Sequence, residues 1–465
     1  MDGFEDVRVA RNLSVAMRRL LVISPHFPPS DAVDMHRVRV NLCHYENCGW
    51  SPSVLSVSAA MSGRQLDERL LRSVPATIAV TRVSAFPEGF ARLAGLTALG
   101  LRAYFGLARA GDRLISDAAA SGRPFDLAFF STTAFPAMAL GPRWRQLFGL
   151  PYVLDMQDPW YTAPVQSQVF RRLGLKHHAM RAIHRRLEAA TMPNAAGLIA
   201  VSPHYIEALR MAYPTLRDRP AETIPFGWSQ ADMALARTLG KPWNAIEAAR
   251  RDGAVVAISA GRAGPYFSTA LRALFRLIAA APPGGTLARL KAMFLGTGYQ
   301  SSGNRFETMP LAAAEGVANC VEEQPDRLPL LDALASLDAA DVLIVLGSDD
   351  FAYQPSKLYQ YLAFEKAVLV IAPAGSRVAA QVEDLDGVIF VEAGARSLTP
   401  ERIADIDALL ARALSASQGA FPRRVMTSAS HESAARAAEE CALFDAACDR
   451  AVGDTRAGLT AYCCD

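Results

Sequence analysis

Apolar residues gather in short runs along the whole chain, each followed by a longer stretch with helical periodicity. The first series comprises LLVIS (20–24), SVLSV (53–57), DLAFFS (126–131), YVLDM (152–156) and GLIAVS (197–202). A second comprises VVAISAG (255–261), AMFLGTG (292–298), DVLIVLG (341–347), AVLVIAP (367–373) and GVIFVEA (387–393). Runs that are apolar on both faces suit parallel strands covered by helices on each side. Several end in Gly, Ser or Pro, where a doubly wound sheet places its ligand loops. The pattern therefore predicts an α/β chain built on two such sheets.

The Pro- and Gly-containing stretch YPTLRDRPAETIPFGWSQ (213–230) separates the two series and suits a connector. We expect a first domain over 1–225, in which 1–16 form a loose extension, and a second over 226–415. After about residue 400 only helical patterns follow, rich in alanine and i to i+4 charge pairs. Residues 416–465 are expected to be helices that pack on or between the domains. At 465 residues the chain exceeds what one core usually supports, which agrees with two.

Charge and cysteine content narrow the partners. With 48 basic and 46 acidic residues the net charge is +2, so no overall field draws in nucleic acid and any anion site must be local. Seven scattered cysteines without paired CxxC spacing suggest neither a zinc site nor a disulfide framework, which fits a reducing cytoplasm. No apolar run approaches the roughly 20 residues of a membrane span, and the acid-bearing N-terminal stretch lacks the apolar segment of a secretory signal. One stretch points toward a membrane surface all the same. Residues 171–186 carry six Lys or Arg and no acid on a helical pattern, making them a candidate for peripheral contact with anionic lipid; a solvated helix face is the plainer alternative.

Candidate chemistry lies at the strand ends of the second series. SAGRAG puts Arg262 directly after a strand, LGTG puts Gly296 and Gly298 after the next, and QPSKLYQYL opens a helix with Ser356 and Lys357 behind Pro355. A helix N-terminus presents unpaired N–H groups and a positive dipole end. An Arg and a Lys nearby would add charge-assisted bonds to a diphosphate. Arg262 and Lys357 are thus the leading pair for a nucleotide diphosphate, while Gly296 and Gly298 are equally readable as turn glycines. In the first half, Asp158 in DMQDPW, His26 in SPHFPP and Arg37 stand near strand ends or the following helix. Each is also an ordinary turn, cap or structural residue type.

These residues carry a resemblance. LLVISPHFPPSDAVDMHRVRVNLCHYENCGWSPSVLSV, YVLDMQDPWY, GLIAVSPHYIEAL and PSKLYQYLAFEKAVLVIAPAGS resemble, in order, blocks of the retaining glycosyltransferases of the family 4 type. The resemblance implies a GT-B fold, two Rossmann-like domains facing across a cleft. The second would hold a nucleotide-diphosphate sugar and the first a saccharide or lipid-linked acceptor, in building a cell-surface polysaccharide or glycolipid.

It further implies transfer with retention, no cofactor beyond the donor and no metal; the SDD (348–350) and DLD (384–386) pairs are read as solvated loops. Arg262, Lys357 and Asp158 would be the catalytic groups, with Gly296, Gly298, Ser356, Leu358 and Gln360 on the donor and His26 and Arg37 on the acceptor or sugar side. Two departures stand out. Gln360 occupies a place where the family usually has a ribose-binding Glu, and PPSDAVDMHR lacks the glycines usual after the first strand, so that Asp31, Asp34 and His36 fill that space. An epimerase or phosphorylase on the same scaffold, or a donor-binding homologue without turnover, remains an alternative.

Overall fold

The computed structural model describes residues 17–89, 98–161, 175–298, 303–349, 355, 357–383, 385–394, 398–416 and 422–462. The expected extension over 1–16 lies outside them. Thirteen described strands form two sheets, each wholly parallel. The first contains β1 (Arg18–Ile23), β2 (Trp50–Val57), β3 (Ala79–Val83), β4 (Leu127–Ser131), β5 (Tyr152–Met156), β6 (Gly197–Ala200) and β7 (Ala221–Thr223), in the order β3-β2-β1-β4-β5-β6-β7. The second contains β8 (Val255–Ala260), β9 (Leu290–Leu295), β10 (Val321–Gln324), β11 (Val342–Leu346), β12 (Ala367–Ala372) and β13 (Val388–Glu392), in the order β10-β9-β8-β11-β12-β13. Strand order reverses beside β1 in one sheet and beside β8 in the other. Loops leaving those strands part company there and open a crevice at the carboxyl ends.

All ten apolar runs are strands. The sequence pattern passed over β3, β7 and β10. β3 lies at an edge and none of its residues is fully buried. β7 is three residues long. β10 reads VEEQ because its buried Glu323 accepts bonds from the Thr297 and Thr308 hydroxyls and from the amides of Glu307, Thr308 and Met309. That carboxylate satisfies the donors at the start of the helix Met309–Ala314, a task for which a strand glutamate gives no local signal.

Between the sheets the helices Gln230–Leu239 and Ala245–Arg251 belong to the second, since Met233, Ala236, Ile246 and Ala249 join Val256, Ile258 and Leu343 in one apolar cluster. The chain later returns. Arg424, in the helix Pro422–Ala429, donates to the carbonyls of Leu362, Tyr361 and Lys366 in the second domain. The last helix, Ser433–Tyr462, then packs Ala437, Cys441, Phe444 and Ala447 against Leu20, Val22, Trp50 and Phe129 of the first. Phe444 has the Trp50, Tyr45 and Phe129 rings at 5.6, 5.9 and 4.8 Å. The outward and returning strands of this connection run side by side. Trp228 N donates to His431 O at 3.0 Å and Ser433 N to Trp228 O at 2.8 Å.

Arg37 anchors that returning helix. Enclosed at 2% exposure, it meets Asp155 at 2.9 Å and Glu440 at 3.4 Å, donates to Ile224 O at 2.7 Å, and lies over the Phe226 ring. Expected on the acceptor side, it is instead occupied by the joint between the first sheet and the last helix. One guanidinium faces two buried carboxyls, and burial pushes the pKa of both up against the pull of Arg37. A raised carboxyl keeps a proton that the unfolded chain has released, so stability falls as pH climbs from about 4 through the raised values. Glu440→Gln removes one of the two charges and keeps the shape. Thermal unfolding between pH 4 and 8 should show a shallower decline for the variant than for the parent chain, and a steeper one would refute this account.

Candidate functional site

The two switch points supply the groups of the candidate site. In the second sheet β8 ends at Ala260, whose N–H donates to the Tyr361 hydroxyl at 2.8 Å and whose carbonyl accepts from Lys357 Nζ at 3.3 Å. The helix Lys357–Leu362 is thereby fixed against the end of β8. Arg262 follows two residues later and is exposed. A side-chain carbon placed on Gly261 would lie 3.9 Å from Lys357 Nζ, so the loop carrying Arg262 passes directly beside the lysine. The two expected cations therefore share one strand end. Lys357 is half-buried and donates to the Ala260 carbonyl, and burial pushes its pKa down to about 8.

The other donor-side residues divide. Gly296 has φ +67°, which favours glycine, and its amide bonds to Gln324 O; Gly298 bonds to Pro325 O. A Cβ at Gly298 would come within 2.1 to 2.3 Å of the Asn304 side chain, which itself bonds Asp326. Gly296 is thus favoured by its left-handed backbone and Gly298 by the close packing of the neighbouring loop. Leu358 is 0% exposed within the second domain's apolar cluster, so its side chain serves the core. Gln360 is half-buried on the same short helix. Ser356 lies outside the described residues. Arg327, absent from the sequence-based candidates, stands with its Cα 3.6 Å from the position of a Gly296 Cβ, and its charge, with that of Arg64, opposes the upward push that burial exerts on the Asp31 pKa.

In the first sheet the crevice between β1 and β4 is lined by an Asp–His pair. His26 Nδ1 lies 2.9 and 3.1 Å from the two Asp34 oxygens. Asp34 also accepts from the Thr132 and Thr133 hydroxyls and the Thr133 amide, at 3.0 to 3.1 Å. Burial alone would raise the Asp34 pKa; the bond and charge of His26, with the threonine donors, outweigh it and hold it down to about 2. The glycine-free loop is thereby explained. Asp34 orients His26, and Met35 enters the second domain's apolar cluster. His36, with its pKa lowered to about 3 by burial and by Arg39, accepts from that arginine at 3.2 Å.

Asp158 is exposed beyond β5, within range of the charge of Arg262 in the second domain. Surrounding protein and the Asp34 charge push its pKa up, and Arg262 opposes them. An Arg of one domain thus acts on an Asp of the other across the crevice. Beside His26 lies a cavity of about 320 Å³, walled further by Arg64, Glu88, Arg102, Thr133 and His184. Of the basic stretch 171–186, residues 171–174 lie outside the described ones. Its remainder falls in the helix Leu175–Thr191, where Arg181, Arg185 and Arg186 are exposed. Among the described residues no helix is long and apolar enough to cross a membrane.

No protein-family model and no curated protein sequence matches the chain. Solved structures do. The N-terminal domain of trehalose-6-phosphate phosphatase from Candida albicans superposes with a TM-score of 0.54 at 12% identity, over 96% of this chain and 99% of that one. A glycosyltransferase from Rickettsia africae ESF-5 gives 0.53 at 12%, over 92% and 98%. The fold is GT-B, as the resemblance implied.

Asp34 offers a direct check on the first-domain half of the site. A depressed carboxyl pKa stabilises the fold above the unfolded value near 4 and ceases to do so as pH falls through about 2. Asp34→Asn should therefore cost about 2 kcal/mol at pH 7, and the deficit should narrow as pH drops from about 4 toward 2. Denaturant unfolding of both proteins at pH 7 and pH 2.5 reads this, and an equal deficit at both would show that Asp34 is not held ionised by its partners.

Proposed function

We propose that the chain is a glycosyltransferase that moves a sugar from a nucleotide-diphosphate donor on the second domain to an acceptor on the first. The observation that carries this reading is the meeting of Lys357 and Arg262 at the end of β8, opposite Asp158. When the bond between the anomeric carbon and the diphosphate breaks, two negative charges gather on the departing phosphate. Cations already fixed there stabilise that state more than the ground state. The similarity in fold to the Rickettsia africae glycosyltransferase supports the same reading. An acceptor for surface polysaccharide or glycolipid synthesis would agree with the exposed arginines of Leu175–Thr191, which could rest on anionic lipid.

For the stereochemistry we favour retention, with the acceptor hydroxyl attacking on the face of the leaving diphosphate and passing its proton to a phosphate oxygen. One observation favours a second reading. His26, backed by the Asp34 carboxylate and lining the cavity, has the arrangement of a general base. Attack on the opposite face, with the proton going to His26, would invert the anomeric centre. His26→Gln separates them: inversion predicts a loss of kcat of about 10²–10⁴-fold, retention a small one, and the anomeric coupling in the product's proton NMR spectrum gives the outcome directly.

Donor binding provides the main test. Calorimetric titration of uridine and guanosine diphosphates should show binding that Lys357→Ala and Arg262→Ala each weaken by tenfold or more. Lys357 is charged below about 8 and a bound diphosphate favours the charged form, so affinity should fall as pH rises past 8. Lys357→Arg should remove that fall. Absence of any nucleotide binding, or unchanged binding in both alanine variants, would sink the assignment.

A further inference from the structure

We propose that the cavity beside His26 is an anion subsite of the acceptor, taking a phosphate or carboxylate group carried by the acceptor sugar; this rests on the transferase reading above and adds the acceptor's chemical class. The cavity, about 320 Å³, holds a group of sugar size. Its wall is richer in donors and positive charge than a neutral sugar requires.

Arg102 carries most of the argument. It is 5% exposed, and its terminal nitrogens donate to the carbonyls of Phe86 and Met61, at 3.0 and 2.8 Å. Its Nε is sealed inside the protein without a hydrogen-bond partner, so a ligand would meet Arg102 through the remaining hydrogens of its terminal nitrogens; among the described residues no carboxylate forms an ion pair with it. A buried guanidinium bonded only to carbonyls has no counter-charge, which is costly unless an anion supplies one. Arg102 is in the first turn of the helix Leu99–Ala120, whose start also lines the cavity at Ala98 and Leu99. No side chain caps that helix and no acid stands in its first turn, so its amides and dipole add to the same positive end.

Three further groups stand in the wall. Trp160 Nε1 donates to His184 Nδ1 at 2.8 Å, and burial lowers the His184 pKa; the neutral ring then carries its proton on Nε2, as a donor. Arg64 is exposed at the cavity's margin. Glu88 brings the one acid of the wall, its carboxylate 3.3 Å from where a Gly63 Cβ would stand. It suits a sugar hydroxyl, and the anion belongs at the Arg102 end. An acceptor bound this way would project another hydroxyl past His26 toward the crevice shared with Arg262.

The test uses the full chain carrying Arg262→Ala and Lys357→Ala, which removes the other cation cluster, titrated calorimetrically with glucose 6-phosphate, glucuronate and glucose. At least one anionic sugar should bind tenfold or more tighter than glucose, and the advantage should shrink with added salt. Which of the two binds identifies phosphate or carboxylate as the natural group. Arg64→Glu, which disturbs no core contact, should reduce the advantage at least fivefold. Arg102→Gln should abolish it if the variant folds. Glucose binding as tightly as both acids, or an advantage untouched by Arg64→Glu, overturns the proposal, as does binding of inorganic phosphate without either acidic sugar. Uridine diphosphate titrated into the parent chain reports the transferase reading separately, because its loss would leave the anionic sugar's preference for the cavity intact.

Discussion

The joint at Arg37 holds the rest of the molecule in place. A parallel sheet covered on both faces needs a helix over β1 and β5, and here that helix arrives only after the chain has built the whole second domain. Its position is fixed by one guanidinium set between Asp155, at the carboxyl end of β5, and Glu440, on the returning helix. Burying three ionisable groups is expensive, and hydrophobic packing around Phe444 supplies more of the adhesion. The polar joint supplies register. From Asp155 the same network continues through Gln157, which bonds Asp155, Ser131 and the Asp34 carbonyl. The strand end that holds the last helix thus also orients the Asp34–His26 pair and leads, one residue further, to Asp158.

The domains are held on a second side by contacts that make sense of the first domain's unusual loops. Arg39 meets Asp232 in a two-pronged bond at 2.5 and 2.6 Å, with both side chains nearly inaccessible. Arg69 reaches Asp332 while gripping its own neighbour Asp67. Met35 and Leu70 enter the apolar cluster of the second domain alongside them. A glycine-rich turn after β1 would let backbone approach a ligand. The turn present here spends its side chains on the partner domain and on His26, so on the proposed reading ligand contact in this crevice would fall to His26 and the cavity wall.

Much of this was legible from the sequence, for a definite reason. Central strands buried on both faces must be apolar throughout, which is why all ten such runs are strands. The strand ends then follow, and with them the placing of Lys357 beside Arg262. What escaped detection depends on partners distant in the chain. Glu323 makes VEEQ a strand by capping a helix that precedes it. Arg37 has a cleft-facing place in the sequence and a partner 403 residues away. Leu358 sits beside Lys357, yet on a helix adjacent residues point apart by about 100°, so one serves the core and the other the crevice. Arg102 and His184 belong to unremarkable helical stretches, and only the fold brings them to one wall.

Gln360 gains a physical meaning from that helix geometry. Residues three apart on a helix are neighbours, and a carboxylate at 360 would stand within reach of Lys357. It would raise the lysine's pKa and neutralise part of its charge before any ligand arrived. With glutamine there, Lys357 donates to the Ala260 carbonyl and burial lowers its pKa. The lysine is therefore weakly compensated by the protein itself. On the proposed reading a diphosphate would supply the charge that position 360 withholds, at the cost of one acceptor for a ribose hydroxyl. On this view the substitution exchanges grip on the ribose for grip on the leaving group, which is the interaction that strengthens as the bond to the sugar breaks.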